Sequence, residues 1–408
     1  MYRRLALALL ITPLACASTR LEPITVAHFT PDTDERQLWD YAGKVDAYYE
    51  ARGFVYHDET LQAYLDGIGR RLLPHFGGDP ATRIRVLKDP SLNAFALPNG
   101  SIYLNSGIVA GARNEAQLAM LMGHEITHFI GRHSLREART ARNRQRTKDV
   151  ILAIFAVAAA GASGDANAAR VFLDLSDPLG NVLVNLQVSG YSRDLERAAD
   201  EGGLGAMTTA GYDPAQAPAI FLALQEEARA ANTTEPYFFG SHPRLEERIE
   251  TCTEYLSRAG GPTGVPSGRV GADTHADAVA ELLLVNADLD ITIGRLQHAR
   301  GAIDRHLAHA PASARGHVML GELYRRSGDD AAHVASAVAA YREAVRLDPD
   351  MAASRRELGL LYWNQGEPTL ARTELQRYLE LAPDAVDRPI VEGYLEELAA
   401  GGDGGPRP

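Results

Sequence analysis

A short segment, Gly123 to His128, contains the pattern H-E-x-x-H. Residues four apart on a helix share one face, so the imidazoles of His124 and His128 can bind one metal ion, with Glu125 beside them as a general base. Apolar residues flank the segment, and two buried histidines without a ligand leave polar nitrogens that need other partners. The pattern predicts a metal-dependent peptidase site; the alternative is a pair of core histidines satisfied by hydrogen bonds.

A peptidase metal site needs a third protein ligand and one open position. His133 would point about 140° away from His128 on a continuing helix, so we expect hydrogen bonding or solvent exposure for it. Glu196 and Asp200 are again four residues apart. Glu196 can complete a His₂Glu site, and Asp200 can accept a hydrogen bond from the distal nitrogen of a ligand histidine. Read alone, such an acidic pair is more typical of a solvated helix face.

Composition limits the chemistry further. The 408 residues include only two cysteines, Cys16 and Cys252, which excludes a disulfide framework and a cysteine-ligated zinc module. Any metal must therefore be bound by histidine, aspartate or glutamate, and we expect Cys252 to be a lone buried thiol. The net charge of −12 argues against nucleic acid as a partner. The 45% hydrophobic content and the length indicate a globular chain of two or three domains.

The elements that position these residues can be predicted from periodicity. Residues 38–73 read as helical, and Asn114 with Gln117 resembles a capping box that opens a helix through residue 130. Pro98-Asn99-Gly100 separates two short β segments, 93–97 and 101–105, as in a hairpin. The second segment could bind an extended substrate by adding a strand to its edge. A further strand is predicted around residues 84–86, and further helices near 192–210, 214–232 and 242–257.

The C-terminal third contains a repeat. Leu347-Asp-Pro and Leu381-Ala-Pro lie 381 − 347 = 34 residues apart, and two L-G-x-x-Y segments begin at Leu320 and Leu358. This period and pattern resemble tetratricopeptide repeats, which stack into an all-α solenoid with a concave surface for peptides or partner proteins. An ordinary helical bundle is the alternative. We predict repeats over 276–398, a Gly/Pro-rich linker over 257–275 and a disordered tail over 399–408.

The N-terminus has the features of a secretory signal over residues 1–16, with two arginines before a short apolar run. Leu14-Ala15-Cys16 resembles a lipobox, which predicts a lipid anchor at Cys16 and attachment to the outer membrane. The same small residues also fit an ordinary cleavage site, which would release a soluble periplasmic protein. The charge-free stretch 150–164 is too short to span a bilayer and predicts a buried helix.

In order, these motifs resemble the HtpX and CAAX-prenyl-endopeptidase family of zinc metallopeptidases. H-E-x-x-H is followed by S-R-x-x-E-x-x-A-D at 192–200 and by S-H-P at 241–243. The resemblance covers about residues 36–256, within a predicted peptidase domain 17–256. It implies a gluzincin-type α+β fold that is mainly α with a small sheet. It also implies one zinc ion bound by His124, His128 and Glu196, with Asp200 in a supporting role.

The resemblance also suggests how the remaining groups act. With zinc present, Glu125 would take the proton from a water that attacks a peptide carbonyl, and the resulting oxyanion needs a positive partner. His242 or Arg248 is the candidate for that partner. The matching histidine can instead hold the zinc latent in some relatives, or cap a helix, and Arg248 can be a structural ion-pair residue.

We therefore predict a zinc metalloendopeptidase of the bacterial periplasm that hydrolyses misfolded or stalled envelope and outer-membrane proteins. The repeats would recruit these substrates or the outer-membrane assembly machinery. The alternative is a chaperone-like adaptor for outer-membrane assembly whose protease is mostly latent. Nucleic acid is not expected as a partner in either case.

Overall fold

The computed structural model describes residues 21–24, 29–78, 81–144, 191–230, 245–258 and 267–401. Outside the described residues lie the signal segment 1–16 with Cys16, the stretch 150–164, His242, the linker residues 259–266 and the tail beyond residue 401. The described part is mainly helical with one small sheet, which confirms the predicted fold class. None of the described helices combines the length and hydrophobicity needed to cross a membrane.

The first predicted helical stretch, residues 38–73, is divided in the structure. It forms two helices and a short strand: α1 (Thr33–Ala51), β1 (Val55–Tyr56) and α2 (Glu59–Leu72). The expectation of uninterrupted helix is wrong here because Gly53 adopts a φ of +67°, a conformation that favours glycine and follows the end of α1. The chain can then run as β1 beside the next strand.

A four-stranded sheet has the order β1-β2-β4-β3, and its other strands are β2 (Arg83–Leu87), β3 (Ala94–Ala96) and β4 (Ser101–Asn105). The antiparallel pairing of β3 with β4 confirms the predicted hairpin, whereas β2 and β4 are parallel. Gly100 forms the turn with a φ of +88°, and a Cβ at this position would lie 3.0 Å from the Phe129 ring. The hairpin turn therefore packs closely beside the H-E-x-x-H segment.

The helix that carries this segment, α4 (Glu115–Ile130), is a core helix. Its N-terminus is capped as predicted, because the Asn114 side chain accepts a hydrogen bond from the Gln117 amide at 2.9 Å. Every residue of α4 except Thr127 is buried. Its polar side chains must therefore find partners inside the protein.

Among the described residues before 259, the structure also contains a short 3-10 helix (Leu73–Phe76) and five further α-helices: α3 (Ser106–Gly111), α5 (His133–Arg144), α6 (Arg193–Thr209), α7 (Gln216–Ala230) and α8 (Leu245–Arg258). The last three confirm the helices predicted near 192–210, 214–232 and 242–257. Helix α6 packs along α4, and α8 packs against α6 and α7. The predicted candidates at residues 196 and 200 are thereby brought onto a helix that lies beside the two histidines.

Residues 267–401 contain a run of helices that pack against their neighbours in sequence: α9 (Ala272–Thr292), α10 (Leu296–His309), α11 (Ala314–Ser327), α12 (Ala331–Leu347), α13 (Ala352–Asn364), α14 (Pro368–Leu381) and α15 (Arg388–Ala399). Small residues allow close approach within the pairs. A Cβ on Gly321 would lie 2.7 Å from the Tyr341 ring, and one on Gly359 would lie 2.6 Å from Leu375. The all-α repeat prediction is confirmed, while the exact domain limits stay a prediction.

The first helical pair of this region, α9–α10, shares a hydrophobic core with the N-terminal part of the chain. Val279, Leu282, Leu283 and Ile291 of α9 are buried in the same cluster as the apolar residues of α2 and α4. The later helices from α12 onward form a separate cluster. The α9–α10 pair therefore contributes to the core around α4, in addition to starting the repeat stack.

The segment that enters α9 also reaches the start of α4. In this segment, which we call the strap (residues 267–271), the carbonyls of Val270 and Gly271 accept hydrogen bonds from the amides of Ala116 and Glu115, at 3.1 and 3.4 Å. The first amides of a helix have no partner within the helix. The strap satisfies two of them, and the buried Glu115 carboxylate also pairs with Arg71 at 2.6 Å.

A buried histidine marks the same junction. His275 of α9 lies 3.0 Å from the Tyr64 hydroxyl and 3.1 Å from the Ala112 carbonyl. Burial, with a smaller contribution from the charge of Arg305, lowers the pKa of His275 to about 4, even though the hydrogen bond with Ala112 acts in the opposite direction. The junction is therefore built for a neutral imidazole.

We predict that acidification weakens this junction. Between the folded pKa of about 4 and the ordinary value of 6.5, the unfolded chain binds more protons at His275, so lowering the pH favours unfolding. The stability contribution of His275 is constant only well above pH 6.5, and its loss amounts to about 2 kcal/mol at pH 5. Denaturant unfolding of the wild type and of His275→Gln at pH 7.5 and pH 5 checks this. Equal losses in both proteins would contradict it.

We also predict that the chain can be shortened only down to the α9–α10 pair. Deleting residues 314–401 leaves that pair in the core and should preserve a cooperative thermal transition at a lower midpoint. Deleting 272–401 removes four buried aliphatic side chains of α9, worth about 6–12 kcal/mol of burial, which is comparable with the stability of a whole domain. Circular dichroism melts of both proteins decide the point, and a cooperative transition in the shorter one would refute it.

Candidate metal centre

The two helices that carry the predicted ligands cross at glycines. A Cβ on Gly123 of α4 would lie 3.0 Å from the Cα of Gly203, and a Cβ on Gly203 of α6 would lie 2.9 Å from the backbone nitrogen of His124. Larger residues would force the helices apart at this point. The close contact places the first turn of α6, with Glu196, opposite the histidines of α4.

Three side chains converge at this crossing. The Nε2 atoms of His124 and His128 are 3.0 Å apart, and the Glu196 carboxylate oxygens lie 3.6 Å and 3.5 Å from them. A tetrahedral zinc ion with bonds of about 2.0–2.1 Å separates its ligand atoms by about 3.3 Å. All three residues are buried, and no second cluster of three such ligands occurs in the part of the chain that the structure describes. The donor set and its spacing fit zinc.

Asp200 supports the first histidine. Its Oδ1 lies 2.9 Å from the Nδ1 of His124, on the side of the ring opposite the nitrogen that faces the cluster. A carboxylate at this position favours the tautomer with the proton on Nδ1 and leaves Nε2 free to bind a metal. This contact has the geometry expected of Asp200 from its place four residues after Glu196.

Arg248 lies behind the site. Its Nη2 is 2.6 Å from Asp200 and 2.9 Å from the Nδ1 of His124, and the side chain is buried beneath the Phe221 ring. Burial acts to lower the pKa of Arg248, but the carboxylates of Asp200 and Glu196 raise it above its ordinary value. The pairing of its guanidinium with Asp200 beside His124 favours the ion-pair alternative for Arg248. The oxyanion role stays a prediction.

The second histidine has a different support, one that spacing alone did not reveal. The Nδ1 of His133 lies 3.0 Å from the Nδ1 of His128, and His133 is buried. Helix α4 ends at Ile130, and Arg132 adopts a φ of +53°, so the chain turns before α5 begins at His133. The assumption of a continuing helix therefore fails. Burial, with a smaller contribution from Arg136, lowers the pKa of His133 to about 3.

Tyr191 covers the face of the same ligand. Its ring stacks on that of His128 with centroids 3.9 Å apart, and its hydroxyl is 2.9 Å from the hydroxyl of Ser134. Burial raises the pKa of Tyr191, and the carboxylates of Glu125 and Glu196 raise it further. The phenol therefore stays neutral beside the cluster. No sequence pattern singled out this residue, which directly precedes the S-R-x-x-E segment.

Three predicted features of the site remain: Glu125, His242 and the substrate-binding edge at 101–105. Glu125 is buried on α4, next in sequence to a candidate ligand. His242 lies outside the described residues. Strand β4 pairs with β2 on one side and β3 on the other, so the prediction that residues 101–105 offer a free edge is wrong. Among the described strands, β3 is the edge strand next to β4, and it packs against α4.

Comparison with known proteins agrees with this geometry. Residues 59–256 match the model of peptidase family M48, and residues 320–396 match a tetratricopeptide repeat model. Over 59–256 the chain is therefore similar to M48 peptidases. The matched peptidase region contains His124, His128 and Glu196, and the repeat match runs from the second half of α11 into α15.

Among curated relatives, a Vibrio cholerae protein that bears the provisional name beta-barrel assembly-enhancing protease is 30% identical over 210 residues, 49% of this chain and 40% of that protein. The beta-barrel assembly-enhancing protease of Escherichia coli K12 is 27% identical over 53% of this chain and 42% of its own length. The mitochondrial metalloendopeptidase OMA1 of Schizosaccharomyces pombe is 29% identical over 56% of this chain and 62% of its own. The chain thus spans between 40% and 62% of these relatives.

We predict that Asp200 matters to both metal affinity and stability. Asp200→Asn should lower zinc affinity about 10–100-fold by weakening the hold on His124. It should also lower the free energy of unfolding by about 3–5 kcal/mol, because the buried Arg248 loses its counter-charge. Chelator competition and denaturant unfolding measure the two effects. Glu115→Gln breaks another buried ion pair and should lower stability alone; equal zinc affinities in the two variants would contradict the assignment.

Proposed function

We propose that this protein is a zinc-dependent endopeptidase. The observation that carries the proposal is the convergence of His124, His128 and Glu196 at zinc-ligand spacing, with Glu125 on the same helix, within a region similar to M48 peptidases. A bound zinc ion would act as a Lewis acid on the peptide carbonyl and bring the pKa of water toward about 7.

The chain's own residues would perform the remaining steps. Glu125 would accept the proton from the attacking water and pass it to the leaving amine, a transfer that depends on its position one residue after a ligand. Asp200 and His133 would hold the two ligand rings in orientation. Burial of these groups excludes bulk water and strengthens each electrostatic interaction. The partner of the oxyanion stays open, with His242 and Arg248 as the predicted candidates.

An extended substrate would bind along β3. Strand β3 is an edge strand of the described sheet, and it packs against α4. Backbone pairing with a substrate at such an edge is independent of sequence and requires an unfolded segment. It therefore favours misfolded or stalled proteins over folded ones as substrates.

The cellular role follows from the resemblance to the beta-barrel assembly-enhancing proteases. We propose that the enzyme acts in the periplasm on envelope and outer-membrane proteins, and that the repeats of α9–α15 recruit substrates or assembly partners. The predicted signal segment and Cys16 support attachment to the outer membrane as a lipoprotein, with soluble release as the alternative. The complete ligand set together with Glu125 favours retained hydrolysis over a purely adaptor role.

The test is the variant Glu125→Gln in the full chain. It should retain about one bound zinc ion and lose peptide hydrolysis by a factor of about 10²–10⁴ or more, because the general base is removed. Glu196→Gln serves as the comparison and should lose zinc affinity as well. Metal analysis and cleavage of an unfolded casein-type substrate provide the readouts. Undiminished cleavage by Glu125→Gln would overturn the proposed mechanism.

A further inference from the structure

We infer that His133 is a positioning residue that fixes the tautomer and ring orientation of His128 for metal binding. The inference rests on the proposed metal site and extends it to a residue outside the H-E-x-x-H pattern. It assigns a function to a buried histidine that lies outside the cluster of His124, His128 and Glu196.

The contact between the two rings is a hydrogen bond with two possible proton arrangements, and only one of them leaves the Nε2 of His128 free to bind a metal ion. Their Nδ1 atoms are 3.0 Å apart, and the rings meet almost at right angles, with an interplanar angle of 88°. One nitrogen must donate and the other accept. If His128 donates from Nδ1, its Nε2 carries a lone pair, which is the form that binds a metal ion. His133 then accepts as a neutral imidazole with its own proton on Nε2.

The position of His133 is determined by the turn between α4 and α5. Arg132 takes a left-handed conformation, which is unfavourable for a residue with a Cβ and needs support from its surroundings. That support is visible: the Arg132 guanidinium pairs with the buried Glu35 of α1 at 2.6 Å and lies over the Phe29 ring. The turn returns the chain so that His133 contacts a residue five positions earlier.

A second contact holds the same ligand from its face. Tyr191 stacks on His128, and Ser134, the neighbour of His133 on the first turn of α5, is within hydrogen-bonding distance of the Tyr191 hydroxyl. The first two residues of α5 thus act on His128 together, one directly and one through Tyr191. A ring held at one edge and one face has little freedom to rotate away from the cluster.

Asparagine and leucine at position 133 separate the hydrogen bond from simple filling of space. The two side chains are similar in shape, but only asparagine carries an oxygen near the place of the imidazole Nδ1. We expect His133→Leu to weaken zinc binding about 10–100-fold, the range found when a partner of a ligand histidine is lost. His133→Asn should bind zinc within a few-fold of the wild type. Competition with a chelator of known affinity gives both constants.

A spectroscopic readout tests the tautomer directly. In the zinc-loaded wild type, the ¹⁵N imidazole spectrum should show a protonated Nδ1 on His128 with a slowly exchanging proton. His133→Leu should lose that protection, and His133→Asn should retain it. If His133 acted only by filling space, His133→Leu would retain the slowly exchanging Nδ1 proton of His128.

The controls separate loss of positioning from loss of stability. His275→Leu removes another buried histidine that bonds to a hydroxyl and a carbonyl, so it should lower the thermal midpoint without changing zinc affinity. Wild-type zinc affinity in His133→Leu, or equally weak binding in the asparagine and leucine variants, would overturn the inference. A wild type that binds zinc but cleaves no peptide would refute the proposed peptidase and leave this comparison intact. A wild type that binds no zinc would refute both.

Discussion

The constraint on which the rest of the structure depends is the burial of polar groups on α4. This helix lies inside the core on all sides, yet it carries two imidazoles and two carboxylates in its sequence. Removing such groups from water costs free energy unless each has a partner. Much of the surrounding architecture supplies those partners: α6 crosses α4 closely enough to bring Glu196 and Asp200, and α5 turns back to bring His133. In the candidate metal cluster, the buried polar groups of His124, His128 and Glu196 face one another.

The two ligand histidines are supported by different chemistry. His124 faces a carboxylate that is itself paired with Arg248, whereas His128 faces a second imidazole. Each support is close to neutral overall, because the charges of Asp200 and Arg248 cancel and His133 is uncharged at neutral pH. Both rings are therefore oriented without adding net charge that a divalent ion would have to balance.

Local spacing was sufficient to predict part of the site and insufficient for the rest. The i, i+4 rule brought His124 near His128 and put Glu196 on one face with Asp200, because these relations depend only on helix geometry. It failed at His133, since the rule assumes a helix that continues, although Gly131 is a residue that often follows a helix end. The role of β4 was missed for a different reason: its parallel partner β2 is separated by a hairpin, and no local pattern specifies that pairing.

The distinction between local sequence signals and long-range packing also applies to whole helices and strands. The hairpin, the helices α4 and α6 to α8 and the repeats have short-range signals and could be predicted, whereas α3 and α5 were not predicted. The burial of α9 in the core around α4 arises from tertiary packing and has no such signal. Arg248 belongs to this second class, because nothing in its local sequence separates an arginine that faces a substrate from one that is buried against Asp200.

The hydrogen bonds at the two ends of α4 also have a consequence for when the site can form. Its first amides are bound by carbonyls of Val270 and Gly271, and its last carbonyl, on Ile130, accepts a hydrogen bond from the amide of Ile24 at 2.9 Å. The two segments are 270 − 24 = 246 residues apart, so closing both contacts requires a long-range search by the chain. As the chain is synthesised from its N-terminus, Ile24 is available early, whereas Val270 and Gly271 follow only after more than half of the printed sequence. The order of synthesis therefore delays completion of the helix that carries His124, Glu125 and His128, so the candidate site can form only after the segment that leads into α9 has been made.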